Sequence, residues 1–106
     1  MADVFLKVYP EYYKVTRGMK NSAMLVLYIF MLKITQRFQS YNTIEMNYDE
    51  AKRVYASQLL DAEELSKFTS SRYSEGIREL KARGILTLCK DTKNLYLYNK
   101  NLFNIG

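Results

Sequence analysis

Histidine is absent from the 106 residues, and with it go the commonest general base and the commonest metal ligand. Tryptophan is absent as well. A single cysteine, Cys89, excludes an internal disulfide and gives no sign of a secreted, bridge-stapled chain. With no imidazole in the chain, its thiol has no activating base. Four glycines are scattered, so none builds a phosphate-cradling loop. One proline, Pro10, and no repeat, low-complexity tract or Gly/Pro-rich linker leave nothing to divide the chain into parts. The adjacent carboxylates Asp49-Glu50 and Glu63-Glu64 suit helix N-termini better than an acid–base dyad. A nucleophilic tyrosine of the strand-transferring kind would want a metal cluster, normally with histidine. These deficits argue against an enzyme, and no cofactor or small-molecule substrate is implied.

Long hydrophobic runs are scarce too. Ala23 to Leu32 is ten apolar residues without a break. A membrane span needs about 20, and Lys33 and Arg37 interrupt this run early. It starts too far from Met1, and lacks the small-residue cleavage site, for a signal peptide. It reads as the central core helix over 21–39, capped by Asn21 or Ser22 and buried on most sides. A cytoplasmic chain with no membrane partner is expected.

Rings and positive charge are what the chain has in quantity. Ten tyrosines and five phenylalanines are too many for a disordered segment, and the length suits one domain with a modest core. The net charge is +5 and the pI about 9.3, a balance that favours polyanionic partners. Acid is concentrated in residues 41–68, which sum to −3, whereas 69–84 and 85–106 each sum to +2.

Residues 69–99 carry the clearest local signals. Thr69, Ser70 and Ser71 offer N-cap hydroxyls, and Tyr73, Ile77, Leu80 and Gly84 form one apolar stripe at helical spacing. Gly84 tolerates the left-handed conformation in which helices commonly stop. Ile85–Cys89 and Leu95–Tyr98 are β-rich runs joined by the polar Lys90-Asp91-Thr92-Lys93-Asn94, the pattern of a hairpin.

Upstream, Val4–Tyr9 is a short β-rich run stopped by Pro10, an edge strand or an arm packing on a neighbour. Residues 11–20 read as a helical turn or a loop. Thr43–Tyr48 alternates as a strand does, and Asp49 can cap a second helix over 49–60 bearing Ala51, Val54, Tyr55 and Gln58. Residues 61–68 exceed the three or four of a tight helix-turn-helix. Either a short extra helix lies there or the second helix runs on.

A capped helix passing through glycine into a hairpin resembles a winged helix-turn-helix. The phrases "SRYSEGIRELKARGIL", "LYLYNKNLF" and "VFLKVYP" resemble, more narrowly, the winged-helix initiators of plasmid replication, in which the last strand usually closes on Asn-Pro where this chain has Asn99-Lys100. The resemblance implies one α+β winged-helix domain over 1–106, with a three-helix core, a small antiparallel sheet and a C-terminal wing hairpin. Its parts would be an N-terminal strand or arm (1–20), the core helix (21–39), a strand pairing with the wing (43–48), a second helix (49–60), a recognition helix (70–83) and the wing (85–99). It implies double-stranded DNA as partner, and a role in origin recognition or, with the same fold, transcription regulation.

With the recognition helix in a major groove, Arg78 is placed for bidentate contact with guanine. Ser70, Ser71, Arg72 and Ser74 lie near its N-terminus, where phosphate or base edges are met. Lys81 and Arg83 would hold the backbone. Lys90, Lys93 and Asn94 would place the wing tip on phosphate or in the minor groove. A solvated helix face with Glu75–Glu79 and Glu79–Arg83 neighbours, and a solvated turn, account for the same residues. Outward Glu75 and Glu79 would repel phosphate unless aimed at cytosine amino groups. Tyr96 and Tyr98 share a strand face, either as a stacking platform for single strands or as packing. Tyr9, Tyr12 and Tyr13 on the arm, or the core helix, could form a homodimer or another protein-interaction surface.

Overall fold

The ten-residue apolar run lies within α2 (Asn21–Thr35), around which the other elements are wrapped in this computed structural model. The structure describes residues 6–36, 42–58 and 62–105. Ala23, Val26, Leu27, Ile29, Phe30 and Ile34 of α2 are buried, while Met24 and Tyr28 keep one strip exposed. The last turn closes at Thr35, whose hydroxyl donates to the Leu32 carbonyl at 2.7 Å. The helix therefore stops short of residue 39: Gln36 is in a turn, and 37–39 lie outside the described residues.

The chain is α+β, with five helices and two small antiparallel sheets among the described residues. After α2 come β2 (Thr43–Glu45), α3 (Tyr48–Ala56), α4 (Ala62–Ser66), α5 (Ser70–Ala82), β3 (Leu86–Leu88) and β4 (Leu95–Tyr98). One sheet has the order β2-β4-β3, with Ile44 and Leu88 both opposite Tyr96. The strand expected over 43–48 does pair with the hairpin, but it is shorter. Its ladder ends at Glu45, after which the Met46 N–H reaches the Asn94 carbonyl at 2.9 Å. The cap of α3 is Asn47 and not Asp49. Its short side chain accepts from the Glu50 N–H at 2.8 Å, so Tyr48 is already helical and Asp49 and Glu50 fill the acidic first turn. The extra helix allowed for in 61–68 is α4, and residues 59–61 lie outside the described residues. Phe68, directly after it, is 1% exposed and meets the rings of Tyr48, Tyr55 and Tyr73 at 5.5–6.3 Å.

Helix α5 starts where Thr69 accepts from the Arg72 N–H at 3.2 Å. It ends in a Schellman motif: Ile85 N–H donates to Leu80 O, Gly84 N–H donates to Lys81 O, and Gly84 takes a φ of 73°. Its buried face holds Tyr73, Gly76, Ile77 and Leu80. At Gly76 the backbone comes so close to α2 that an added Cβ would lie 2.5 Å from Val26 Cγ2 and 2.8 Å from Ser22 O. Arg83, just past the helix, donates from Nη1 to the carbonyls of Val15 and Arg17 at 2.9 and 2.7 Å, and its Nε is 3.0 Å from Glu79.

The N-terminal segment is a strand and a short helix, β1 (Leu6–Val8) and α1 (Pro10–Val15), so residues 10–15 are helix and not loop. Proline suits the first helical position, where no N–H is needed. Its strand pairs with β5 (Phe103–Ile105), which the sequence pattern does not announce. Phe103 holds the two together, fully buried, stacked on Tyr98 at 5.2 Å and edge-on to Tyr12 at 6.3 Å. No helix among the described residues is long and apolar enough to cross a membrane.

Candidate functional site

The outward side of α5 collects most of the residues that the sequence singles out. Ser70, Ser71, Ser74, Arg78 and Lys81 are exposed there. Two neighbours are committed within the fold. Arg72 is half-buried and donates to Lys67 O at 3.0 Å, bracing the connector from α4. Arg83 is held by the N-terminal segment and by Glu79, so its charge is not presented to a partner as that of an exposed side chain is. That ion pair also changes the meaning of Glu79. A carboxylate 3.0 Å from a guanidinium is compensated, which leaves Glu75 as the exposed acid on this face opposite Arg78 and Lys81.

Arg78 stands on a crest between two shallow clefts. One, about 260 Å³, is lined by Lys20, Ser22, Glu75, Arg78, Glu79 and Ala82. Lys20 is a basic residue that helical spacing could not associate with α5. It arrives there because the close approach at Gly76 seats the start of α2 against that helix. The other cleft, about 230 Å³, runs between α5 and β4 and is lined by Tyr73, Ser74, Ile77, Arg78, Lys81 and Tyr96, with no carboxylate.

Lys90 and Lys93 are exposed in the turn joining β3 to β4. The turn is tight: Asp91 has a φ of 61°, and Thr92 donates both N–H and hydroxyl to Cys89 O. Asn94 is half-buried, its carbonyl engaged by Met46. Helix face and turn thus bring Ser74, Arg78 and Lys81 together on one element, and Lys90 and Lys93 on another.

Tyr96 and Tyr98 pack inward, at 6% and 3% exposure, with Tyr96 edge-on to Phe30 at 5.7 Å. They are core residues and offer no stacking platform. Burial pushes the Tyr73 phenol well above the ordinary value of 10.0, and neighbouring Tyr96 adds to the shift. Tyr96 and Tyr12 are raised in the same direction, chiefly by burial. The folded state therefore holds these phenol protons more tightly than the unfolded chain. Their contribution is fully present below pH 10 and is lost as pH rises above it. Thermal melts stepped from pH 8 to 11 should show constant stability followed by a decline.

A further cleft, about 430 Å³, lies elsewhere, lined by Lys33, Glu45, Met46, Asn47, Asp49, Glu50 and Arg53. Three of its charges, Lys33, Glu50 and Arg53, satisfy one another. Lys33 donates to Glu45 O at 2.6 Å and lies 3.4 Å from Glu50, which also pairs with Arg53. The Arg53 hydrogen bond, helped by Lys33, holds the Glu50 carboxyl below its usual range. Among the described residues no group of three His, Cys, Asp or Glu side chains could hold a metal ion. No family model, curated protein or solved structure matches the chain.

Proposed function

We propose that this chain is a winged helix that binds double-stranded DNA, with α5 as the recognition helix and the β3–β4 turn as the wing. The observation that carries the reading is topological. Between residues 21 and 98 the order is helix, strand, helix, short helix, helix, strand, strand, and the first strand adds to the hairpin to give β2-β4-β3. The charge agrees with it: Arg78 and Lys81 on the helix and Lys90 and Lys93 in the turn are exposed. Within that reading α5 enters the major groove, Arg78 reads a guanine edge, and Lys81 with the turn lysines holds phosphate. The task is recognition and not catalysis, without a cofactor. By resemblance it is origin recognition in the replication of a plasmid or other mobile element, transcription regulation being its nearest neighbour.

The reading is tested by fluorescence anisotropy of duplex DNA across a salt series. Removing the two lysines, Lys90→Ala/Lys93→Ala, should flatten the slope of log K against log salt by roughly 2, about one for each phosphate no longer neutralised. Arg78→Ala should cost about 1–3 kcal/mol on the preferred sequence and erode the preference. Absence of duplex binding at low salt would sink it. That outcome would favour a second reading, a homodimer or protein-interaction surface, supported by Tyr13 and Tyr28 at 66% and 47% exposure beside exposed Tyr9 and Met24.

A further inference from the structure

Among the described residues, the Tyr73 hydroxyl is the one buried side-chain oxygen or nitrogen without a hydrogen-bond partner. The residue is 8% exposed, so its phenol has given up water and received nothing in exchange. Phenylalanine would fill the same space without that cost, and a buried polar group left orphaned calls for an explanation. Its position suggests one. Tyr73 lines the cleft between α5 and β4 together with Ser74, Arg78, Lys81 and Tyr96, each of which carries a donor. The cleft on the opposite flank of Arg78 contains two carboxylates; this one contains none.

A lining of hydroxyls, a guanidinium and an ammonium, with acid excluded, matches a tetrahedral oxyanion. An anion offers several strong acceptors at once, which Tyr73 lacks within the chain. We propose that this cleft is a seat for a phosphate ester, with Ser74 and Lys81 holding it from the helix, the hydroxyls of Tyr73 and Tyr96 donating from beneath, and Arg78 at its rim left to reach the bases. The proposal rests on the DNA reading for the source of that phosphate, a backbone phosphodiester. Arg78 and Lys81 are exposed, so admitting the phosphate moves flexible side-chain ends and not the backbone. A duplex seated this way has one strand's backbone on the β4 side of α5, which turns Glu75 toward the bases.

Tyr73→Phe separates the two roles of the hydroxyl. Loss of an orphan alone raises the melting temperature and leaves binding unchanged. Loss of a phosphate ligand raises the melting temperature and weakens duplex binding roughly tenfold, the worth of one hydrogen bond to a charged group. The full chain and its Tyr73→Phe, Tyr96→Phe and Ser74→Ala variants would be titrated with duplex DNA by anisotropy. They would also be titrated with inorganic phosphate, following the backbone amides of residues 73–81 and 96 by NMR. The expected result is weaker duplex binding for all three variants and phosphate-dependent shifts confined to those amides in the parent. Duplex binding unaffected by Tyr73→Phe overturns the seat and leaves the DNA reading standing. Phosphate shifts at the cleft without duplex binding keep the seat for a free phosphate and overturn the DNA reading. Response to neither probe overturns both.

Discussion

Phe68→Ala is expected to lower the unfolding free energy by about 3–5 kcal/mol, the usual cost of removing a buried phenylalanine ring. The ring is 1% exposed and lies among Tyr48, Tyr55 and Tyr73, so its removal leaves a cavity bounded by three large side chains that belong to two different helices. Little can collapse into that space. The Tyr48 hydroxyl donates to the Phe68 carbonyl at 2.8 Å, which fixes the backbone on either side of the ring. Phe68→Leu, which retains most of the volume, should cost distinctly less. Urea denaturation of both variants checks the expectation. A loss below about 1 kcal/mol for the alanine variant, outside the range seen for buried rings, would show that the connector is not anchored here. The consequence is positional: Phe68 packs the start of α5 against α3, so under the proposed DNA-binding function duplex binding should weaken along with stability.

The second large effect runs against local propensity. In a helix interior Ala is favoured over Gly by about 1 kcal/mol, so an exposed Gly→Ala change would stabilise. At position 76 the same change should destabilise, by roughly 1–3 kcal/mol net of that gain, as overpacking of a tight contact does. The new Cβ would fall 2.5 Å from Val26 Cγ2, 2.9 Å from Val26 Cβ and 2.8 Å from Ser22 O. Two of those three atoms remain when Val26 is cut to alanine. Gly76→Ala/Val26→Ala should therefore recover only part of the loss, because the Ser22 carbonyl belongs to the α2 backbone and cannot turn aside. Thermal melts of the single and double variants decide it. A more stable Gly76→Ala protein would mean that α2 and α5 are not held at this distance.

Elements whose causes are local were legible in the sequence. The cap at Thr69, the stop at Gly84 and the hairpin beyond it involve residues within a few positions of one another, and the structure has all three. The apolar run of α2 was legible for the same reason. What escaped depends on partners far along the chain. Residues 103–105 become a strand because residues 6–8 lie beside them. Phe68 sits in a polar connector whose composition hides its burial. Arg83 and Arg72 look like free cations on a helical wheel, yet each spends its guanidinium on backbone carbonyls that helical spacing cannot locate. Lys20 and Tyr73, the additions to the candidate surface, come from the same source: one is delivered by a neighbouring helix, the other is an apolar-stripe residue whose hydroxyl matters only once its surroundings are known.

The pairing of Leu6 with Ile105 sets a timetable for synthesis. The ladder partner of residues 6–8 is residues 103–105, so β1 leaves the ribosome with its edge unmatched and stays so until residue 105 has been translated. Helices α2, α3 and α5 and the β3–β4 hairpin can associate before then through contacts of shorter range. Closing β1 on β5 carries the longest sequence separation among the described strand pairings and should come late. During that interval β1 and the tyrosine-bearing helix α1 that follows it lack their partner strand, and a chaperone would meet the chain at that edge.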